Sequence, residues 1–434
     1  VYEYESEAKC DNHVDLFLDS IRTVQACSTL GTGFVALKIT ALGNPRLLDQ
    51  MSIAIQEADR LFSKFDLDGD GIVTREEFIN AYKTFFYDDD EEHLSSLLES
   101  LDPNGETNQI DYIAMMSKFL TPSDLPRITA HCRSVGPMAM ATPSQEEIEL
   151  MEVMHDRARR IAQEASDRGV RLLIDAEHCK YQPAIDHLAL ILQQSFNDVQ
   201  KTDVPIVFQT YQCYLKGSFP RIQIDLERSK RFGYHFAAKL VRGAYRIHEA
   251  ERANERGEES PVFSTIEETH KCYDESVEHL LSQMKIFQDQ SSAIQSHGDD
   301  IRYVASRSTK NKIEVMCATH NQKSIEKAIA LMEKLDLHPH PKLSGMDCTD
   351  ESRADHVVHF AQLYGMCDHL TYPLGRNKYS AYKYLPYGPI DEVIPYLLRR
   401  AQENSDVLGN VGKEMSLLKG ELKRRIRGLF FDTR

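Results

Sequence analysis

The sequence is short of several things, and each shortage excludes something. No apolar run approaches the roughly 20 residues that a membrane-spanning helix needs, the longest being short stretches such as Leu188 to Leu192. No G-x-G-x-x-G turn occurs, which removes the main signal for a doubly wound dinucleotide-binding sheet. The nine cysteines, an odd number, never approach C-x-x-C or metal-finger spacing, which speaks for a reducing compartment over a disulfide framework. Positive charge is also scarce: 51 Lys and Arg face 67 Asp and Glu, and the net −16 repels phosphate backbones, arguing against nucleic acid as a partner. Residue 1 is Val, and no charged-plus-apolar leader precedes the first folded-looking segment, so a further N-terminal piece is expected. What is present, 41% hydrophobic and 27% charged residues in a 434-residue chain, is ordinary globular composition.

Four segments share a grammar, a β-prone apolar run that stops abruptly in polar residues: Val170 to Glu177, Val204 to Gln212, Phe236 to Tyr245 and Ile313 to Asn321. Helical stretches separate them, and alternating buried strands and helices imply a parallel sheet. Val1 to Tyr4, Phe34 to Ile39, Val357 to Leu363 and Tyr382 to Leu385 raise the count to eight candidates, the number of a (βα)8 barrel. The fold class is therefore α/β, a TIM-like barrel. Functional groups are then expected at strand ends, where Lys38, Asp175, Gln209, Lys239 with Arg242, and His320 with Asn321 fall. The expected divisions are 1–44 for the first barrel strands, 45–121 for an inserted all-α EF-hand-like domain, 122–412 for the remaining barrel and 413–434 for a basic amphipathic C-terminal helix. That last helix suits a solvated outer face or a peripheral contact with an anionic membrane surface.

Asp66 to Glu77 fits the 12-residue EF-hand loop at every informative position. Asp66, Asp68 and Asp70 supply side-chain oxygens at positions 1, 3 and 5, Gly71 makes the turn, Ile72 offers its carbonyl, Thr74 stands at position 9 and Glu77 closes the shell at 12. Hard oxygen ligands suit Ca2+. A second loop from Asp102 has Asn104, but Ile110 arrives one position late and Ala114 stands where a closing Glu belongs, so its expected role is to partner the first loop.

Near the C-terminus Asp391 is expected to cap a helix, with Pro395 in its first turn. There Tyr396, Arg399, Arg400 and Glu403 stand at i, i+3, i+4 and i+7 and share one face. Two guanidinium groups beside an aromatic ring make a planar clamp for a carboxylate. A solvated Arg pair is the plainer reading of the same dipeptide.

The motifs LKITAL with Lys38, LLIDAE with Asp175, FQTYQCYLK with Gln209, AKLVRGAY with Lys239 and Tyr245, ATHN with His320, LYGM with Leu363, and YKYLPYGP followed by YLLRRAQEN closely resemble the proline dehydrogenase family. The resemblance runs from about residue 1 to 408, with the EF-hand region as an insertion. It implies an FAD-binding barrel that oxidises L-proline to Δ1-pyrroline-5-carboxylate and passes electrons to ubiquinone on the matrix side of the inner mitochondrial membrane. By that similarity Arg399 and Arg400 hold the substrate carboxylate, and Lys38, Asp175, Tyr245, Leu363, Tyr384 and Tyr396 line the pocket. Flavin contacts fall to Asp175, Ala176, Gln209, Lys239, Gly243, Ala244, His320, Asn321 and Glu403. Lys239 keeps the charge of the Arg found there in bacterial relatives and loses its fork. Two rival readings are a 4-hydroxyproline dehydrogenase of the same family, against which the bulky Tyr384 argues, and a calcium-binding barrel without catalysis, against which the intact YLLRR and ATHN segments argue.

Overall fold

A computed structural model describes residues 4–28, 33–86, 91–101, 109–119, 143–296, 311–337, 357–388, 390–403, 415–416, 419–420 and 422–425. In chain order these form α1 (Glu7–Cys27), β1 (Phe34–Leu37), a 3-10 turn (Ile39–Ala41), α2 (Pro45–Phe65), β2 (Ile72–Thr74), α3 (Arg75–Phe85), α4 (Glu91–Leu101), β3 (Gln109–Asp111), α5 (Tyr112–Phe119) and α6 (Gln145–Asp167). There follow β4 (Arg171–Ile174), α7 (Gln182–Phe196), β5 (Val207–Gln212), α8 (Ser218–Phe232), β6 (Phe236–Val241), α9 (Arg246–Arg256) and α10 (Ile266–Ser296). The last elements are β7 (Ile313–Ala318), α11 (Gln322–Lys334), β8 (Val358–Leu363), α12 (Asp368–Arg376), β9 (Ser380–Tyr384) and α13 (Ile390–Glu403).

The main sheet runs β1-β4-β5-β6-β7-β8-β9, and the pairs β4–β5, β6–β7, β7–β8 and β8–β9 are parallel. Sequential parallel strands joined by helices are the (βα)8 arrangement. Seven of the eight expected strands are present, and the expected Val1–Tyr4 strand lies outside the described residues except for Tyr4, which is in no strand. The helix α1 that follows was not expected. Its buried apolar positions Cys10, Val14, Leu18 and Ile21 stand at i, i+4, i+8 and i+11 and share one face.

The chain packs as two compact units. The first holds Val1–Asp19, Val35–Gln209 and Gln223–Tyr234; the second holds Ser20–Phe34, Thr210–Ile222 and His235–Arg434. In the first, β4 is buried along its whole length, as expected where a parallel sheet is covered on both faces. Asn44 caps α2 by accepting from the Arg46 N–H at 3.0 Å, with Pro45 at the first helical position where its missing N–H costs least. The Ser144/Glu147 capping box that starts α6 is formed, and Gly169 stops that helix at φ +63°. The buried stripe of α2 includes Leu47, Met51, Ala54, Ala58 and Phe65, and Ser52 on that helix accepts from the Ala184 N–H of α7 at 3.1 Å. The first EF-hand helix therefore also covers the barrel.

Beyond it, β2 and β3 pair antiparallel with Val73 opposite Ile110, so the second loop does partner the first. Residues 102–108, where that loop begins, lie outside the described residues. Tyr112 Oη donates to Asp59 Oδ1 at 2.7 Å, and Asp111 pairs with Arg231 of α8. Burial pushes the Asp59 carboxyl up, against the Tyr112 hydrogen bond that pulls it down.

In the second unit β6, β7 and β8 carry a core that includes Phe236, Leu240, Val315, Cys317 and Phe360. Burial pushes the Cys317 thiol up to about 12, which leaves it inert at neutral pH. Helix α13 begins at Ile390, so Asp391 lies inside it and Pro395 falls beyond the first turn, correcting the expected start. Of the expected C-terminal helix only eight residues are described, all helical. No helix among the described residues is long and apolar enough to cross a membrane.

Arg157 ties α1 to α6. It is 7% exposed, pairs with Glu7 and Asp11 and donates to the Leu42 carbonyl at 2.9 Å. Arg157→Ala would strand these acceptors and should cost about 2 kcal/mol, below the value for a fully buried pair because Asp11 is open to solvent. Arg159→Ala, which breaks only an exposed pair with Asp156, should change stability by about 0.5 kcal/mol or less. Urea denaturation of both variants checks the contrast.

Candidate active site

Within the first unit, the ends of β1 and β4 meet. The Asp175 N–H donates to the Leu37 carbonyl at 2.9 Å, and Lys38 Nζ stands 3.4 Å from Asp175 Oδ2. Asp175 is buried and Lys38 half-buried, and half-buried Ala176 follows on the same strand end. Gln209 lies in β5 opposite Ile174 and is buried.

Within the second unit, the ladder sets Leu363 of β8 opposite Tyr384 of β9, and the Leu363 N–H donates to His320 Nε2 at 3.0 Å. His320 therefore carries its proton on Nδ1. Lys239 of β6 is buried, with its ammonium 5.9 Å from the Tyr384 ring centroid. The Tyr384 and Tyr396 rings lie 6.5 Å apart, and the Arg400 guanidinium stands 5.5 Å from the Tyr396 ring. Lys239, Tyr384, Tyr396 and Arg400 thus make one series of ring contacts. Arg399 and Glu403 lie on α13, and their side chains fall outside the described residues.

Tyr245 is half-buried at the start of α9, preceded by exposed Gly243 and Ala244. Gly243 has φ +115°, and a Cβ there would stand 1.7 Å from Tyr214 ring atoms, so both conformation and space demand glycine. Asn321 caps α11 by accepting from the Ser324 N–H at 3.2 Å.

Arg242 stands at a strand end, and no sequence motif assigns it a role. Its Nε donates to His270 Nδ1 at 2.9 Å, Nη1 to Thr319 Oγ1 at 2.6 Å and Nη2 to Ser324 Oγ at 2.8 Å, with the guanidinium 4.3 Å from the Tyr273 ring. All three oriented acceptors are neutral, and the Asp274 carboxylate acts on the guanidinium from one hydrogen bond further on, accepting from Ser324 Oγ at 2.6 Å. Burial draws the guanidinium below its usual value, yet it stays charged at neutral pH. An anionic group such as a dinucleotide phosphate suits that setting. No spacing rule would have found it, because the partners lie 28 to 82 residues away in sequence.

At the EF-hand loop, side-chain oxygens of Asp66, Asp68 and Asp70 lie within 4.8 Å of one another. Gly71 has φ +84°, and its N–H donates to Asp66 Oδ2 at 2.9 Å. Ile72, the expected carbonyl ligand, is in β2. Glu77 Oε2 accepts from the Thr74 N–H at 2.9 Å and hydroxyl at 2.8 Å, a capping box that starts α3. The three aspartates are convergent, and Glu77 is outside that close group.

Comparison with known proteins agrees with the motifs. The profile described as Proline dehydrogenase matches residues 88–413, and an EF hand domain profile matches 57–85. The chain belongs to the proline dehydrogenase family. It is 34% identical over 450 residues to "Proline dehydrogenase 1, mitochondrial" of Drosophila melanogaster, covering 99% of this chain and 60% of that protein. To the Homo sapiens protein of the same name it is 34% identical over 440 residues, covering 98% of this chain and 65% of the relative. "Hydroxyproline dehydrogenase" of Bos taurus is 34% identical over 351 residues, 76% of this chain and 67% of that protein. The chain thus spans less than two thirds of the length of these two mitochondrial relatives. Proline utilization A from Bdellovibrio bacteriovorus superposes with a TM-score of 0.51 at 16% identity, covering 92% of this chain and 28% of that one, a likeness of fold.

Burial, and then the nearby Arg242 charge, pull His270 below its ordinary value of 6.5, keeping Nδ1 free to accept. Since folding holds the ring neutral, the unfolded chain binds the proton first as pH falls. This contribution to stability is complete above pH 6.5 and is lost as pH drops towards the depressed folded value. His270→Gln, which keeps an acceptor without a titrating ring, should lose less melting temperature than the wild type between about pH 7.5 and 5.5. His155, also held neutral by burial, leaves a residual slope. Thermal melts across that range check it.

Proposed function

We propose that this chain oxidises L-proline to Δ1-pyrroline-5-carboxylate with FAD as its cofactor and ubiquinone as electron acceptor. Family membership supports the reaction class, and the names of the mitochondrial relatives support a mitochondrial setting. We place it on the matrix side of the inner membrane, with peripheral membrane contact through the basic C-terminal segment. The observation that carries the reading is the series Lys239–Tyr384–Tyr396–Arg400, which puts two cations and two rings of the family motifs in succession.

In this reading Arg399 and Arg400 clamp the substrate carboxylate while Tyr384, Tyr396 and Leu363 enclose the ring. Orientation of this kind is worth several kcal/mol, because the reacting carbon is held in line before the chemistry begins. FAD, when bound, supplies the hydride acceptor. Lys38 and Asp175 add a charged pair at the strand ends, and Arg242 with His320 and Asn321 fits the cofactor's phosphates. Tyr245, Gly243, Ala244, Ala176, Gln209 and Glu403 complete the proposed contacts.

The hydroxyproline dehydrogenase relative makes 4-hydroxyproline the second reading. Tyr384, whose ring lies near both Lys239 and Tyr396, is a bulky ring in the proposed substrate site, which in this reading favours unsubstituted proline. Calcium at the EF-hand loop, held by Asp66, Asp68, Asp70, the Ile72 carbonyl, Thr74 and Glu77, is a structural part of the same proposal.

Arg400→Lys keeps the charge and loses the planar fork, so the KM for proline should rise by about tenfold or more, equivalent to about 1.5 to 3 kcal/mol, with flavin content retained. Steady-state kinetics with proline and a quinone test this; wild-type KM in the variant would remove Arg400 from the clamp. Tyr384→Ser should move the ratio of kcat/KM towards hydroxyproline, and an unmoved ratio would mean that Tyr384 does not read the ring. Glu77→Gln keeps an oxygen for the α3 cap but removes the bidentate carboxylate. The wild type should gain about 2.7 kcal/mol of stability at a hundred times the calcium Kd, and the variant should gain almost none. Calcium-dependent melts compare the two.

A further inference from the structure

Beneath the strand ends of the first unit runs a chain of buried polar groups. Gln209 Nε2 donates to Asp186 Oδ1 at 3.1 Å, and Gln182 Nε2 donates to the same oxygen at 2.8 Å. Gln182 Oε1 accepts from the Glu177 N–H at 2.7 Å. At the far end the Glu177 carboxylate accepts from the Thr40 N–H at 3.1 Å and from the Thr40 hydroxyl at 2.5 Å. All five residues are at most 8% exposed.

The sense of each bond follows from the donor inventory. Asp186 Oδ1 accepts from both amides, so both glutamines turn their N–H groups towards it. Gln182 must then present its oxygen to the Glu177 N–H. Breaking such a chain leaves buried donors unsatisfied, a far larger cost than an exposed hydrogen bond would carry.

Its ends fix its meaning. Thr40 lies two residues beyond Lys38, Glu177 two beyond Asp175, and Gln209 is itself a proposed flavin contact. Gln182 and Asp186, one helical turn apart on α7, bridge the two ends. We propose that Asp186 and Glu177 are positioning residues: Asp186 holds the Gln209 amide in a single orientation for the flavin, and Glu177 clamps the turn that carries Lys38 for the substrate. The assignment rests on the flavoenzyme reading above.

Asp186→Leu removes the shared acceptor, whereas Asp186→Asn keeps a carbonyl oxygen with two lone pairs. In the Leu variant the relative affinity for reduced and oxidised flavin should change about tenfold, read as a shift of about 30 mV in the two-electron midpoint potential, with rescue in Asp186→Asn. Thr40→Val, which keeps the shape and deletes one donor to Glu177, should raise the KM for proline about tenfold with flavin content unchanged. A folded Asp186→Leu protein with wild-type potential overturns the proposal. If that variant does not fold, Thr40→Val decides, and a wild-type KM there overturns it. Wild-type protein that carries no flavin would instead sink the reading beneath it.

Discussion

Charge at the ends of apolar strands is the constraint on which the rest depends. β4 is fully buried, and it ends in Asp175, a carboxylate that must find compensation where water is scarce. It finds Lys38 at 3.4 Å, while its own N–H closes on Leu37. The strand pairing and the charge pairing thus specify each other: a slip in register between β1 and β4 would separate the two charges. Glu177 with Thr40 repeats the logic at the same strand ends, and Asp186 with the two glutamines carries the polar chain on into α7.

The second unit meets the same constraint with neutral groups. Arg242 is gripped by a histidine nitrogen and two hydroxyls, over a tyrosine ring, with the Asp274 carboxylate behind one of those hydroxyls. Lys239 lies against Tyr384. A protein built only for stability would gain more by replacing such groups with apolar side chains. Such groups at strand ends suit the anionic cofactor and carboxylate substrate proposed above.

The strands were legible in the sequence because each is an apolar run cut off by polar residues, and the EF-hand loop because calcium fixes residue type at fixed spacing. The cap of α6 was equally plain, since Ser144 and Glu147 act within one turn. Helix α1 does carry a face in the sequence, Cys10, Val14, Leu18 and Ile21 at i, i+4, i+8 and i+11, which a reading built on strands passes over. The start of α13 was misplaced because Pro395 imitates a first-turn proline. The environment of Arg242 and the Thr40–Glu177–Gln182–Asp186–Gln209 chain were invisible for another reason. Their partners come together only through the fold, and no local pattern records a hydrogen bond spanning 137 residues.

Anaerobic titration of the purified protein with L-proline, followed by visible absorbance, tests the flavin-linked reading most directly. The expected result is a yellow protein whose flavin band is bleached by L-proline and recovers on addition of a quinone. A colourless protein that binds no added FAD, or a flavin band that L-proline leaves unchanged, would contradict it.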